Sequence, residues 1–322
     1  MSEIILVIGP PGGGKTTLVD TYVKQGYHRL NRDLIGGKLS TPDAKLYQIL
    51  RQKYKEGVHN FVLDNTYADK ASRAIVIGVA RELGLSVHVK WLQTTREQAQ
   101  LFAARRQVLR YGKLLHAHQY KKYSSDPNMF PPIAQFGYWK RHEEPTLEEG
   151  FLSIEKIDIK TSFGSEYVNK AIILDLDGTL RTTKSGDIYP KKRADVQILP
   201  NRKNILRKYE GEYILLGATN QSGISCHQDD KERYVSEEDV QECIDETVRQ
   251  LGLDIDCLYA PDKAGVPTSY WRKPMPGMGV VFIEKYKLNP SECIMVGDMA
   301  TDKTFAERCG FQFQWAHEFF VL

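Results

Sequence analysis

Ala171-Ile-Ile-Leu-Asp175-Leu-Asp177-Gly-Thr-Leu180 is the stretch that decides the fold of the second half of this chain. Four apolar residues followed by two alternating acids predict a buried strand that ends in a turn. Side chains two residues apart leave a strand on the same side, so both carboxylates would project together. Asp175 could then attack a phosphorus atom while Asp177 moves the protons. A plain turn carrying two acids is the competing interpretation.

A second phosphate motif stands near the start of the chain, where Gly9-Pro-Pro-Gly-Gly-Gly-Lys15-Thr16 follows the apolar run 4–8 and precedes a helical pattern. Such a loop rings phosphates with backbone N–H groups, while its Lys reaches the β and γ oxygens and its Thr hydroxyl binds Mg²⁺. A Gly-rich turn without a ligand is the alternative. The motif predicts an ATP site formed by Gly9, Gly12, Gly13, Gly14, Lys15, Thr16 and Thr17.

Strand-like apolar runs alternate with helical patterns on both sides of residue 165, which predicts βαβ units around parallel sheets. We therefore expect an α/β protein with two domains, since 322 residues suit two cores better than one. The predicted domains are an N-terminal P-loop kinase, residues 1–165, and a C-terminal phosphatase with a Rossmann-like sheet, residues 166–322. The segment 156–169 is the predicted linker.

Charge is divided unevenly along the chain, although the net charge is only +3. Residues 1–165 hold 24 Lys and Arg against 16 Asp and Glu, whereas the remainder holds 20 against 25. A basic first half is compatible with binding to a polyanion. The longest apolar runs are only strand-length, which predicts no membrane span and no signal peptide. We expect an intracellular protein, cytoplasmic or nuclear, whose five cysteines are reduced.

The first half offers further candidates for phosphoryl transfer. Asp33 follows a strand-like run and could accept the proton of an attacking hydroxyl, with helix capping as the alternative. Asp64 ends the run 61–63 and could support the metal, or cap the next helix. Arg105 and Arg106 lie in a basic stretch that could cover the transferred phosphoryl group or simply face solvent.

The second half supplies what an Asp175 nucleophile would need. Thr219 follows a strand-like run and offers a hydroxyl, and Lys273 offers an ammonium group to hold the anion. Asp298 and Asp302 follow a third run and offer oxygen ligands of the kind that Mg²⁺ prefers. The predicted metal ligands are Thr16 and Asp64 in the first half and Asp175, Asp177, Asp298 and Asp302 in the second.

The order and spacing of Asp175, Thr219, Lys273 and Asp298 resemble the four motifs of the haloacid dehalogenase-type phosphatases. Both halves of the chain also resemble the polynucleotide kinase-phosphatases. In the first half the resemblance lies in Asn31-Arg-Asp33, Asp64-Asn-Thr66, Ala71-Ser-Arg73, Glu97-Gln-Ala99 and residues 144–151. In the second half it lies in residues 175–186, 219–224, 272–278 and 297–298. This resemblance implies that Asp33 activates a 5′-hydroxyl, that Arg106 contacts the phosphates of ATP, and that the second half removes 3′-phosphates.

A related branch, the histidinol-phosphate and heptose-bisphosphate phosphatases, shares Thr-Asn-Gln and Arg-Lys-Pro and carries a zinc loop of closely spaced Cys and His. Here Cys226-His227, Cys243 and Cys257 are scattered, which argues against a zinc site. The expected cofactors are therefore ATP and Mg²⁺.

The sequence favours an enzyme that prepares nucleic-acid ends, DNA or RNA, for joining by a ligase. Lys15, Asp33 and Arg106 would serve a 5′-kinase, whereas a 3′-phosphatase would use Asp175, Asp177, Thr219 and Lys273. One rival is a kinase fused to a phosphatase for small metabolites. A second rival is a nucleic-acid-binding scaffold whose two sites are inactive.

Overall fold

The structure of the chain, a computed structural model, describes residues 2–37, 39–123, 125–226, 233–265 and 267–321. Packing divides the chain into two compact units. The first unit consists of residues 1–102 and 125–161, and the second of residues 103–124 and 162–322. Each unit is built on a parallel five-stranded sheet, and the predicted two-domain α/β class is confirmed.

The first unit contains a sheet with strand order β2-β3-β1-β4-β5. Its central strand β1 pairs in parallel with β3 on one side and with β4 on the other. Apolar residues fill β1 almost continuously because helices cover both faces of a parallel sheet. The strands are β1 (Glu3–Ile8), β2 (His28–Leu30), β3 (Asn60–Asp64), β4 (Ser86–Leu92) and β5 (Ser153–Ile157).

Six helices accompany this sheet: α1 (Lys15–Lys24), α2 (Arg32–Ile35), α3 (Lys45–Lys55), α4 (Lys70–Leu83), α5 (Arg96–Tyr111) and α6 (Ile133–Arg141). Loops that leave the carboxyl ends of β1, β2, β3 and β4 hold the candidate kinase residues. This edge is where open α/β sheets place their ligands. In the described part of the chain, no helix combines the length and the apolar character needed to cross a bilayer.

Strand β5 was missed by the sequence patterns, which placed Lys156 in a linker. The strand pairs in parallel with β4 and forms the edge of the sheet. Its residues are in turn exposed, half-buried, exposed, exposed and half-buried, because the adjacent Glu155 and Lys156 place a charged side chain on each face of this edge strand. An edge strand with so little apolar burial lacks the apolar run that reveals the other strands.

Arg73 and Arg181 are the largest fully buried side chains among the described residues, and Arg73 holds two segments of the first unit together. Its guanidinium donates two hydrogen bonds of 2.8 Å to the carboxylate of Glu149 and a third, of 2.9 Å, to the carbonyl of Glu143. Glu149 in turn accepts the N–H of Thr146. Both motifs 71–73 and 144–151 therefore meet at one buried ion pair that holds the second motif against α4.

Replacing Arg73 by Ala is expected to lower the free energy of unfolding of the first unit by about 3–5 kcal/mol, because the Glu149 carboxylate would stay buried without its partner. Chemical denaturation followed by hydrogen exchange in peptides of β1 and β3 measures the loss. Arg51→Ala is the matched control, since the exposed Arg51–Glu82 pair should contribute less than about 1 kcal/mol. Equal losses in the two variants would contradict the assignment of Arg73.

The second unit contains a parallel sheet with strand order β10-β9-β6-β11-β12, and a separate antiparallel hairpin of β7 and β8. Strand β6 is central and fully buried, as the run 171–174 predicted. The strands are β6 (Ala171–Leu174), β7 (Arg181–Thr183), β8 (Val196–Ile198), β9 (Ile214–Asn220), β10 (Asp256–Ala260), β11 (Ile294–Gly297) and β12 (Gln312–Trp315). The helices are α7 (Arg202–Leu206), α8 (Glu237–Leu251), α9 (Gly277–Tyr286), α10 (Ala300–Cys309) and α11 (Ala316–Phe319).

Residues 103–124 depart from the sequence-based division at residue 165. They follow the first turns of α5 along the chain, yet they pack with the second unit. The Arg105 guanidinium shows why, since it donates to the Glu284 carboxylate at 2.6 Å and to the Tyr167 hydroxyl at 3.1 Å. The domain limits 1–165 and 166–322 thus remain a prediction made from the sequence. Packing places residues 103–124 in the second unit.

Candidate active sites

The phosphate loop lies between β1 and α1, where the motif predicted it. Gly12 and Gly14 have positive φ angles of 78° and 91°. A Cβ atom on Gly13 would lie 2.9 Å from the backbone oxygen of Pro10, so only glycine permits this turn. The Lys15 ammonium donates to the carbonyls of Gly9 and Pro10 at 3.0 and 2.8 Å, which folds its side chain over the loop. Thr16 and Thr17 follow, exposed in the first turn of α1.

Two residues that the sequence patterns did not single out donate side-chain hydrogen bonds to the carbonyls of this loop. The buried hydroxyl of Thr94 donates to the Gly13 carbonyl at 2.8 Å. The buried amide of Gln135 donates to the carbonyls of Pro11 and Ala99 at 3.0 and 2.8 Å. Neither residue belongs to the loop motif, and only the fold brings them to it from positions 81 and 124 residues away.

A cavity of about 410 Å³ opens beside the phosphate loop in the first unit. Its lining includes Pro10 of the loop, Thr94, and the aromatic rings of Trp91, Trp139 and His142. Such a space is large enough for an organic group beyond the phosphates themselves.

Asn31 directly precedes α2, and Asp33 lies in the first turn of that helix. The Asn31 side chain accepts the N–H groups of Asp33 and Leu34 at 2.7 and 3.3 Å, and donates to the Asp64 carbonyl at 2.7 Å. Asn31 is therefore the helix cap, and the proposal that Asp33 caps this helix is wrong. The carboxylate of Asp33 is partly exposed and accepts the Arg32 guanidinium at 2.7 Å. It remains accessible to a substrate hydroxyl.

Asp64 lies buried at the end of β3, where the sequence placed it. Its carboxylate accepts the Arg29 guanidinium at 2.5 Å. Capping of α4 is performed instead by Asp69, whose carboxylate accepts the N–H of Ser72 at 2.9 Å. Asp64 is thus not a helix cap, and a metal-supporting role stays a prediction. The structure adds Arg29 as its charge partner.

The two candidate lid arginines, Arg105 and Arg106, both lie in the segment that packs with the second unit. Arg105 is engaged by Glu284 and Tyr167, and its guanidinium also lies 4.7 Å from the centre of the Phe163 ring. Its use as a lid residue is unsupported, because these contacts commit the guanidinium to the second unit. Contact of Arg106 with ATP remains a prediction, and its charge acts on Tyr270 of the second unit.

The second candidate site gathers at the carboxyl ends of β6, β9 and β11. Lys273 is buried, and its ammonium lies 2.6 Å from Oδ1 of Asp175 and 2.7 Å from Oδ1 of Asp302. Burial raises the pKa of Asp175 to about 7 against the opposing attraction of Lys273, and repulsion from Asp302 adds to the rise. Burial alone would lower the pKa of Lys273, but the two carboxylates outweigh it and raise that pKa.

Asp177 faces the same site and is held by two donors. Arg181 Nε donates to its Oδ1 at 2.7 Å, and Gln221 Nε2 donates to its Oδ2 at 2.8 Å. Gln221 also donates to the hydroxyl of Thr219 at 2.9 Å. Asn220 fixes Lys273 by exchanging hydrogen bonds of 2.9 and 3.0 Å with its backbone N–H and carbonyl. Every member of the Thr-Asn-Gln motif thus contributes to the site.

Arg181 and Gln221 were missed as site residues. Arg181 is fully buried and also donates to the carbonyl of Cys243 and the hydroxyl of Thr247, both on α8. Its position four residues after Asp177 is the only signal that the sequence carried. Gln221 stands within the predicted motif, but its link to Asp177 depends on the meeting of β6 with β9.

Asp175, Asp298 and Asp302 bring carboxylate oxygens within 4.8 Å of one another. They form the only such cluster of three His, Cys, Asp or Glu residues in the described ranges. Burial raises the pKa of Asp298, and Asp302 adds repulsion. Hard oxygen ligands that repel one another are the donor set that suits Mg²⁺, so the three residues fit the metal.

The backbone at position 178 lies so close to the Asp298 carboxylate that only glycine fits there. Gly178 has a φ angle of 84°, and a Cβ atom there would lie 2.2 Å from Oδ2 of Asp298. Among the described residues, the cysteines do not form a cluster of possible metal ligands like that of the three aspartates. Cys226, Cys243 and Cys257 donate to the separate carbonyls of residues 222, 190 and 255. His227 lies outside the described residues.

A cavity of about 650 Å³ adjoins the Thr-Asn-Gln loop of the second unit. Ser222 and Gly223 of that loop line it, together with the basic side chains of Lys191, Arg233 and Lys263. Asp187 also lines it and pairs with Lys191 at 3.4 Å, but the three cations outnumber this acid. A space of this size with a net positive lining suits an anionic substrate larger than phosphate.

Comparisons with known proteins match the two halves of the chain to two different families. Residues 170–320 match the family described as polynucleotide kinase 3 phosphatase, and residues 4–121 match the family described as AAA domain. A bifunctional polynucleotide phosphatase/kinase from Schizosaccharomyces pombe is 30% identical over 159 residues. This match covers 49% of the present chain but only 34% of that relative, so the chain spans about a third of its length.

A D-glycero-β-D-manno-heptose-1,7-bisphosphate 7-phosphatase from Haemophilus influenzae is also 30% identical, over 142 residues that make up 42% of this chain and 74% of that enzyme. Among solved structures, a fungal RNA kinase superposes with a TM-score of 0.35 at 16% identity, covering 51% of this chain and 78% of that one.

Proposed function

This chain joins a polynucleotide kinase 3 phosphatase domain, residues 170–320, to a P-loop domain of the AAA type, residues 4–121, and on that premise we propose that it repairs nucleic-acid ends. It phosphorylates 5′-hydroxyl ends with ATP and hydrolyses 3′-phosphates. The observation that carries the proposal is that one chain holds two candidate phosphate sites, the Lys15 loop in one unit and the Asp175–Lys273 pair in the other. A ligase would use the resulting ends.

The phosphatase reaction follows from the geometry around Asp175. Its carboxylate oxygen attacks phosphorus, forming an aspartyl-phosphate as the bond to the 3′-oxygen breaks. Asp177 gives the leaving oxygen a proton and later takes one from water, which releases phosphate and restores Asp175. Lys273 orients the nucleophile, and Thr219 offers a hydroxyl to the phosphate. Asp175, Asp298 and Asp302 would hold Mg²⁺, which would supply positive charge that neutralises the phosphate oxygens.

The kinase reaction uses the other unit. The loop of residues 9–14 binds the phosphates of ATP through its N–H groups, and Lys15 leaves its loop carbonyls for the β and γ oxygens. Asp33 accepts the proton of the 5′-hydroxyl as that oxygen bonds to the γ-phosphorus and ADP leaves. Thr16, exposed at the start of α1, is the hydroxyl available to Mg²⁺ bound with ATP.

A small-metabolite phosphatase is the second candidate, favoured by the 74% coverage of the heptose-bisphosphate enzyme. The two candidates differ in the substrate that enters the cationic cavity of the second unit. The polynucleotide function is favoured by the family match of residues 170–320 and by the kinase unit on the same chain.

Labelled-phosphate transfer from ATP to 5′-hydroxyl oligonucleotides, with parallel release of phosphate from 3′-phosphorylated ones, tests the proposal. We expect both activities on matched DNA or RNA strands, and kcat/KM well above that for free nucleosides or sugar bisphosphates. A preference for the small substrates in both reactions would overturn the polynucleotide function. Chelation of Mg²⁺ should abolish both activities.

A further inference from the structure

The segment 110–123 is rich in both positively charged and aromatic side chains. It contains four Lys or Arg residues and no Asp or Glu. Five of its fourteen residues carry aromatic rings, namely Tyr111, His116, His118, Tyr120 and Tyr123. Interleaved cations and rings are typical of surfaces that bind single-stranded nucleic acid, where cations meet the phosphates and rings stack on the bases.

This segment is anchored firmly to the second unit, although it precedes α6 of the first unit in sequence. Leu114 and Leu115 are buried. Leu114 packs where a side chain at position 277 would otherwise stand, because a Cβ on Gly277 would lie 2.4 Å from Leu114 Cδ2. This contact ties the segment to α9, and the Arg105–Glu284 ion pair ties the preceding part of α5 to the same helix.

Hydrogen bonds from Gln107 of α5 and within the segment fix the loop that carries its histidines. The buried Gln107 amide donates to the Tyr120 hydroxyl at 3.0 Å and accepts the N–H of Leu115 at 3.2 Å. Gln119 accepts the N–H of His116 at 3.0 Å. These hydrogen bonds fix the conformation of the loop between α5 and residue 123, and with it the positions of its rings.

Three of the rings form a ladder. The His116 imidazole stacks on the Trp271 indole with centroids 5.0 Å apart and planes inclined by 8°. His118 continues the ladder at 6.0 Å and 7° from His116. Burial lowers the pKa of His116, so its ring is neutral at physiological pH and stacks without electrostatic cost. His118 is exposed, as are the neighbouring Lys113, Lys121 and Lys122.

The ladder begins beside the phosphatase site. Trp271 precedes Lys273 by two residues, which limits the distance between their Cα atoms to about 7.6 Å. Lys273 in turn contacts the nucleophile Asp175 at 2.6 Å. A strand whose terminal phosphate reaches Asp175 would therefore pass within reach of the rings.

We propose that Trp271, His116 and His118 form a stacking platform for the bases of a single strand whose 3′-phosphate is bound at Asp175. Lys113, Lys121 and Lys122 meet the backbone phosphates of that strand. The inference rests on the proposed 3′-phosphatase function and specifies how its substrate is recognised. A sugar phosphate has no planar base, so the platform would favour a nucleic-acid end over a small metabolite.

The test compares two substrates of the full-length protein, a single-stranded 3′-phosphorylated oligonucleotide, made as DNA and as RNA, and p-nitrophenyl phosphate. His118→Ala and His116→Ala should lower kcat/KM for the oligonucleotide by roughly 5- to 150-fold, the range expected when one base loses its stacking partner. Hydrolysis of p-nitrophenyl phosphate should stay within about twofold, because these rings do not touch the reacting phosphate. His317→Ala, which removes an exposed histidine elsewhere in the second unit, is the matched control.

Two further measurements separate recognition from misfolding. His116→Phe keeps a flat ring and should restore most of the lost oligonucleotide activity. An abasic strand should be processed by the wild-type protein as poorly as the normal strand is by His118→Ala. Equal activity on abasic and normal strands would overturn the platform while leaving the phosphatase function intact. A wild-type protein that hydrolyses sugar phosphates but no oligonucleotide would instead overturn the proposed function itself.

Discussion

Asp175→Asn is expected to lower 3′-phosphatase activity by roughly 10⁴-fold or more, the scale seen when an enzyme loses its nucleophile. The amide keeps the shape of the side chain but cannot form an acyl phosphate that water then cleaves. Lys273 retains Asp302 at 2.7 Å, so its charge stays compensated and the site should remain folded. Release of phosphate from a 3′-phosphorylated oligonucleotide measures the loss.

Kinase activity should be unchanged in this variant, because the nucleophile belongs to the second unit and the phosphate loop to the first. Asp254→Asn is the matched control, since it removes one exposed carboxylate from the same unit and should leave both activities within about twofold. Phosphatase activity above a few per cent of wild type in Asp175→Asn would eliminate Asp175 as the nucleophile.

Asp33→Asn is expected to reduce 5′-kinase activity by about 10²–10⁴-fold, the usual contribution of a general base. The carboxylate is partly exposed and binds only the flexible Arg32 among the contacts described, so an amide can replace it without loss of a buried interaction. Asn31 remains to cap α2, which should preserve the turn. Transfer of labelled phosphate from ATP to a 5′-hydroxyl strand measures the change.

Phosphatase activity should persist in Asp33→Asn, and Asp43→Asn, an exposed acid in the same unit, should leave kinase activity unchanged. ATP affinity should also be preserved, because the phosphate loop does not depend on Asp33. A variant that loses ATP binding together with transfer would point to a role in the nucleotide site and against proton transfer. Loss of both activities with the fold intact would count against two independent sites.

The candidate phosphatase residues could be predicted well because their chemistry is written in short motifs at strand ends. Parallel strands bring their carboxyl ends to one edge, so Asp175, Thr219 and Asp298 meet once the order of β6, β9 and β11 is set. Arg181 was missed because its value lies in a buried contact with Asp177 and α8. Its position four residues after Asp177 is a weak signal that does not by itself distinguish it from a surface arginine.

Prediction was weaker for the basic stretch after residue 96. Its composition suggested a lid for the kinase, but Arg105 is bound to Glu284, 179 residues further along the chain. Strand β5 was missed for a related reason, since an edge strand with charged residues on both faces has little apolar pattern of its own. Both segments have structures that depend on distant partners, and the contact of Arg106 with ATP stays a prediction.

By itself, the sequence determined that this protein has two α/β units, a phosphate loop before α1 and a paired-aspartate site after β6. Those features follow from local rules, because strand and helix periods and turn residues act over a few positions. Only the tertiary structure decided that residues 103–124 pack with the second unit, that Arg181 and Gln221 hold Asp177, and that His116 stacks on Trp271. Such contacts are set by burial and charge pairing between residues far apart in the chain, which no local pattern records.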